Sequence, residues 1–90
     1  MAPADAKALE PYLSLLRQLR EVKGLKEVRP GIFYLRGSAF LNFHDEAGVL
    51  VADLKKPGGS GFDRYGIASP PERRKLLDAA KLRAARADDD

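Results

Sequence analysis

The chain contains no cysteine. That one absence removes disulfide staples, thiolate zinc sites and cysteine nucleophiles together. Histidine is almost as scarce: His44 is the single imidazole, so a zinc site would have to be completed by carboxylates, and catalytic zinc is not expected. Long apolar runs are missing as well. A membrane-spanning helix needs about 20 consecutive apolar residues, and the N-terminus lacks the apolar core of a signal peptide. The chain therefore reads as soluble and cytoplasmic, without a membrane partner. There is no internal repeat, no recognised nucleic-acid-binding motif and no Gly-Lys-Ser/Thr phosphate loop, and nothing points to a cofactor.

What is present is an ordinary globular composition, 44% apolar and 32% charged over 90 residues, which is one domain. A domain of this size buries only roughly 60% of its unfolded surface, so its stability is marginal and self-association is energetically relevant. Sixteen Lys and Arg face thirteen Asp and Glu, for a net charge of +3. Three of the acids are Asp88, Asp89 and Asp90, and without them the body carries +6. A basic body suits nucleic acid or another polyanion, or simply a well-solvated surface. The expected organisation is a flexible or loosely helical stretch over 1–9, a single domain over 10–86 and a disordered acidic tail over 87–90.

Pro11 suits only the first turn of a helix, so the first regular helix is expected to begin near Glu10. Tyr12, Leu15, Leu16, Leu19 and Val22 then recur at spacings of three and four, and Lys23-Gly24-Leu25 is a helix stop. The period next falls to two and the residues become aromatic and β-branched, which predicts strands over 26–29, 32–36, 39–44 and 49–55, with an edge strand over 62–65. The hairpin turns are placed at Pro30-Gly31, Gly37-Ser38 and the loop 45–48, with a mobile loop over 57–61. Ser69-Pro70-Pro71-Glu72 combines an N-cap, first-turn prolines and a capping-box acid, and opens a helix expected to run to Arg86. The fold class is α+β: an N-terminal helix, an antiparallel meander of three to five strands, and a C-terminal helix.

Pairing the strands through these turns puts Ile32, Tyr34, Leu41, Phe43, Leu50, Ala52 and Leu54 on one face. Phe33, Leu35, Phe40, Asn42, His44, Val49, Val51 and Asp53 fall on the other. Both faces then carry large apolar groups, so both require cover: two helices on one face and a partner on the other, one helix on each, or a second copy of the chain. The expected core is Leu15, Leu16, Leu19, Phe33, Leu41, Phe43, Leu50, Leu54, Leu76 and Ala80.

Asn42, His44 and Asp53 are the one polar convergence among the core strands, with Asn42 expected opposite Val51 and His44 at the hairpin end. The trio is either a proton-carrying or ligating site built on His44, or a strand-end histidine bonded to a carboxylate. Ser60 and Asp63 do not make a triad, because neither lies on a strand-to-helix elbow and the only histidine is elsewhere. Arg36, Lys55, Lys56 and Arg64, joined by Arg73, Arg74 and Lys75, form a candidate basic rim for an anion or nucleic acid.

The segments Ile32-Phe33-Tyr34-Leu35-Arg36, Ala39-Phe40-Leu41-Asn42-Phe43-His44-Asp45, Val51-Ala52-Asp53-Leu54 and Ser69-Pro70-Pro71-Glu72-Arg73 resemble a small bacterial family of unassigned function. Its third strand is similar to Phe-Leu-His-Phe-His followed by an acid, and its next strand has an Ala-Asp step. His44 and Asp53 match that pattern, whereas Asn42 stands at its first histidine, which argues against a two-histidine metal site. The resemblance spans residues 20–86 and implies an α+β fold without an activity. The leading expectation is a non-enzymatic interaction module that self-associates or binds a protein partner through a sheet face. Weak nucleic-acid binding through the basic rim and a His44-centred catalytic or metal site are the alternatives.

Overall fold

Leu15, Leu16 and Leu19 share one side of a helix and must find an apolar surface, while the strands that follow carry Phe33, Leu41, Phe43 and Leu54 to meet them. The computed structural model, which describes residues 2–3 and 6–89, satisfies both demands at once. Strand β1 (Ala2–Pro3), helix α1 (Ala6–Leu9), a 3-10 turn (Glu10–Tyr12) and helix α2 (Leu13–Arg20) precede five strands: β2 (Leu25–Arg29), β3 (Ile32–Leu35), β4 (Ser38–Glu46), β5 (Val49–Lys55) and β6 (Phe62–Gly66). Helix α3 (Pro70–Asp89) closes the chain. Strands β2 to β6 form an antiparallel sheet in chain order, and β1 adds to β4 beyond the end of β3.

Both helices lie on the same face. Leu9, Leu15, Leu16, Leu19, Leu76, Leu77, Ala80 and Ala84 are buried against Phe33, Leu35, Phe40, Leu41, Phe43, Ala52, Leu54 and Ile67. Every expected core residue is buried except Leu50, which is half-buried. The expected boundaries shift at both ends. Leu9 is part of the core, so the folded unit begins before residue 10, with Pro11 held in the 3-10 turn where its missing N–H costs nothing. At the other end, α3 continues through Asp89, where a disordered acidic tail was expected from residue 87. Its start is as read: the Ser69 N–H donates to Glu72 Oε1 at 3.0 Å, and the Glu72 N–H donates back to Ser69 Oγ at 3.4 Å.

The face assignment of β3 is corrected by the structure. Its turn uses Arg36 and Gly37, with φ of 54° and 83°, so Leu35 stands opposite Ser38. That is the type I′ geometry matched to strand twist, one position earlier than Gly37-Ser38. A bulge follows, after which Phe33 faces Leu41 and Ile32 faces Asn42. Phe33 and Leu35 thereby move to the helix side, and Ile32 and Tyr34 join Asn42 and His44 on the open side, because a one-residue change of register inverts every side chain. The expectation that Phe33 and Leu35 share a face with His44 came from the unshifted register. Likewise β4 runs to Glu46 and turns through Ala47-Gly48, which sets Asn42 opposite Asp53 and His44 opposite Val51.

Gly31 is fixed by space as well as by its φ of 76°: a Cβ there would lie 3.0 Å from Leu9 and 3.3 Å from Phe43. Ala47 instead occupies a left-handed position, φ 53°, with a side chain that gains nothing from it. Replacing Ala47→Asn, which gives the preferred Asn-Gly pair, is expected to stabilise the fold by roughly 0.5–1 kcal/mol in urea unfolding. A loss of stability in this variant would contradict the turn assignment.

Candidate functional site

Two places combine polar chemistry with a defined geometry. The first is the open face of the sheet, where the alternation of β4 and β5 brings His44 and Asp53 to the same side. His44 is 6% exposed, and its Nε2 lies 2.7 Å from Asp53 Oδ2. An ionised carboxylate only accepts, so Nε2 is the donor. The outer oxygen of Asp53 takes Arg64 Nε at 3.4 Å, and Arg64 Nη1 is 3.3 Å from Glu46 Oε2. Glu46 Oε2 in turn lies 3.7 Å from His44 Nδ1, too far for a hydrogen bond. Neither His44 Nδ1 nor Glu46 Oε2 makes a hydrogen bond to a described residue.

This ring joins three strands through side chains. Asn42 stands opposite Asp53 in the register but does not join it. Glu46, read from sequence as a turn acid, and Arg64, read as part of the basic rim, are both drawn in once β4 extends beyond His44. Among the described residues the polar contacts of His44 are Asp53 and Glu46, and no hydroxyl stands against the imidazole to serve as a nucleophile. No group of three or more metal-ligating side chains occurs among the described residues.

The second place is a cleft of about 560 Å³ at the C-terminal end of α3, bounded by the β3–β4 turn and the β5–β6 loop. Arg36, Lys55, Lys56, Arg83 and Arg86 line it, and none of the lining side chains described up to residue 87 is a carboxylate. Its apolar wall is formed by Leu35, Ala39, Phe40 and Ala87. The loop is ordered by hydrogen bonds from the Gly59 N–H to the Lys56 carbonyl and from the Lys56 N–H to the Gly61 carbonyl, both 3.0 Å. Arg83 is fixed: Nη1 donates to the Lys55 carbonyl at 3.0 Å, Nη2 donates to Tyr65 Oη at 3.3 Å, and the guanidinium lies over the Tyr65 ring.

The single basic rim expected from sequence is divided by the structure. Arg36, Lys55 and Lys56 meet at the cleft, while Arg64 is bound into the open-face ring. Arg73, Arg74 and Lys75 lie at the opposite end of α3, a helix of 20 residues and thus about 30 Å long. There Arg73 donates to the Ile67 carbonyl at 2.8 Å and covers the Tyr12 ring, Arg74 borders Pro11 and Ser14, and Lys75 neighbours Asp63 and Glu72. Arg83 and Arg86 were missed because the helical period shows only that they avoid the core, and not which end of the sheet α3 reaches.

Coupling in the open-face ring is measurable. His44→Leu and Asp53→Leu should each cost about 1–3 kcal/mol, because each removes the 2.7 Å His44–Asp53 hydrogen bond, leaving a half-buried carboxylate or a buried imidazole without it. The double variant should cost less than the sum by roughly 0.5–2 kcal/mol in a urea-unfolding cycle; strict additivity would show that the two side chains are not coupled. No protein-family model matches the chain, and no curated protein or solved structure is significantly similar to it.

Proposed function

We propose that the chain is a small non-enzymatic binding module whose ligand is a phosphate-bearing polyanion, seated in the cleft at the C-terminal end of α3. One observation carries this reading: five cationic residues from three separate segments converge on one concavity. Converging cations strengthen the local positive potential and attract phosphate groups, whereas dispersed ones serve mainly solubility. The wall offers no exposed ring for base stacking, since Phe40 is buried. Recognition is therefore of the phosphate chain and indifferent to base sequence.

Binding to a short single-stranded oligonucleotide should then be salt-dependent. With three or four phosphates neutralised, affinity should fall roughly ten- to fiftyfold between about 50 and 200 mM salt. The double variant Lys56→Glu, Arg86→Glu should abolish binding with little change in stability, because neither side chain is part of the core. Affinity that ignores salt, or survives the double variant, would overturn the reading.

A second reading, self-association through the open sheet face, is favoured by Val49 and Phe62, which are 58% and 40% exposed on that face, with half-buried Ile32 and Tyr34 on β3 at its far side. Its occupant is a second copy of the chain. Sedimentation at high micromolar concentration should then show a dimer that Phe62→Lys dissociates; a monomer at that concentration ends this reading.

A further inference from the structure

We infer that Asp63 is the internal counter-ion of the cleft and sets its affinity by sharing two of its cations with the ligand. The inference rests on the cleft being an anion site and adds how that site is tuned. Asp63 lies on β6 opposite Leu54, on the helix side of the sheet, so its carboxylate is directed towards the C-terminal half of α3. There each oxygen meets a different cation of the cleft: Oδ2 lies 2.9 Å from Arg83 Nη2, and Oδ1 lies 3.9 Å from Lys56 Nζ. This is the bridging arrangement that two oxygens of one phosphate group would make, supplied by the protein itself.

The two cations differ in what they can give up. Arg83 is 18% exposed and is held by the Lys55 carbonyl and the Tyr65 hydroxyl in addition to Asp63, so it stays where it is. Lys56 is half exposed, is the more distant partner, and sits on a flexible four-carbon stem. An arriving phosphate therefore draws Lys56 from Asp63 while Arg83 remains shared. The attraction between phosphate and cation is partly offset by the weakened attraction at Asp63, and the carboxylate also repels the incoming charge at short range. Such a site binds weakly and releases readily, and its strength is governed by one residue outside the lining.

The test compares the full chain with Asp63→Asn, which removes the charge and keeps an oxygen able to accept from Arg83, and with Asp63→Glu, which keeps the charge. Asp63→Ser is measured alongside as a second neutral variant, and the fold of each is checked by circular dichroism. The probe is the same single-stranded oligonucleotide. At low salt the neutral variants should bind roughly three- to tenfold tighter than the parent, with the advantage shrinking as salt screens it, and Asp63→Glu should match the parent. Binding by the parent with equal or weaker binding by the folded neutral variants would overturn the role of Asp63 and leave the cleft reading intact. Absence of binding by all of the proteins would overturn the cleft reading itself.

Discussion

The one-sided packing of α2 and α3 on the sheet is the constraint from which the rest of the molecule follows. A chain of 90 residues has enough apolar surface for one well-filled layer, and Leu16, Leu19 and Leu76 meet Phe33, Leu41 and Leu54 there with essentially no exposure. Both helices are used up in filling it. The opposite face must then be tolerated by water, and it is, through Asn42, Asp53 and Arg64 set among Ile32, Tyr34 and Val51. The same packing drives α3 across the sheet and beyond it, so that Arg83 and Arg86 stand over the β5–β6 loop. Core, polar face and basic cleft are three results of one choice of layer.

Much of this is legible in the sequence where a local rule acts alone. Ser69-Pro70-Pro71-Glu72 specifies a helix start through its own side chains, and the structure makes each of those hydrogen bonds. The apolar period of residues 15–19 identifies the buried side of α2 without reference to anything else. Where two local rules compete, a reading from sequence fails in a systematic way. Gly37 can serve at either position of a two-residue turn, and placing it second instead of first moves the partner of Leu35 by two, from Phe40 to Ser38. The structure resolves the choice by putting Arg36 in a left-handed conformation, which residue preferences disfavour. The turn alone keeps the faces as they were; the bulge between Tyr34 and Phe33 then adds the odd residue that inverts β3 against β4 and accounts for its misassigned face.

The candidate site was only half legible for a related reason. His44 and Asp53 lie nine residues apart in two adjoining strands, and the alternation of side chains is enough to bring them to one face. Glu46 and Arg64 depend on how far β4 extends and on β6 pairing with β5, which are properties of the assembled sheet. The cleft is more remote still, since Arg36, Lys56 and Arg86 come from two loops and a helix end that meet only after packing. A net charge of +3 indicates an excess of cations and carries no information about where they gather.

The two polar regions make opposite demands on a partner, and this ranks the readings. On the open face the charges are already paired internally: His44 with Asp53, and Arg64 with Asp53 and Glu46. A protein seated there would strip water from Arg64 and Glu46 and could return little, because their opposite charges are in place; burying such a pair commonly costs more than its Coulomb attraction repays. The exposed Val49 and Phe62 lie at the margins of that ring and would have to outweigh its desolvation. In the cleft the balance of charge is reversed. Arg36, Lys55, Lys56, Arg83 and Arg86 stand close together, and the Asp63 carboxylate placed against two of them offsets only part of their charge, so an anion entering there meets a net positive potential. The proposed phosphate would thus gain attraction in the cleft, less what Asp63 gives up, whereas a protein surface on the sheet would have to offset the desolvation of charges already paired. That difference favours the cleft over the sheet face as the proposed binding surface.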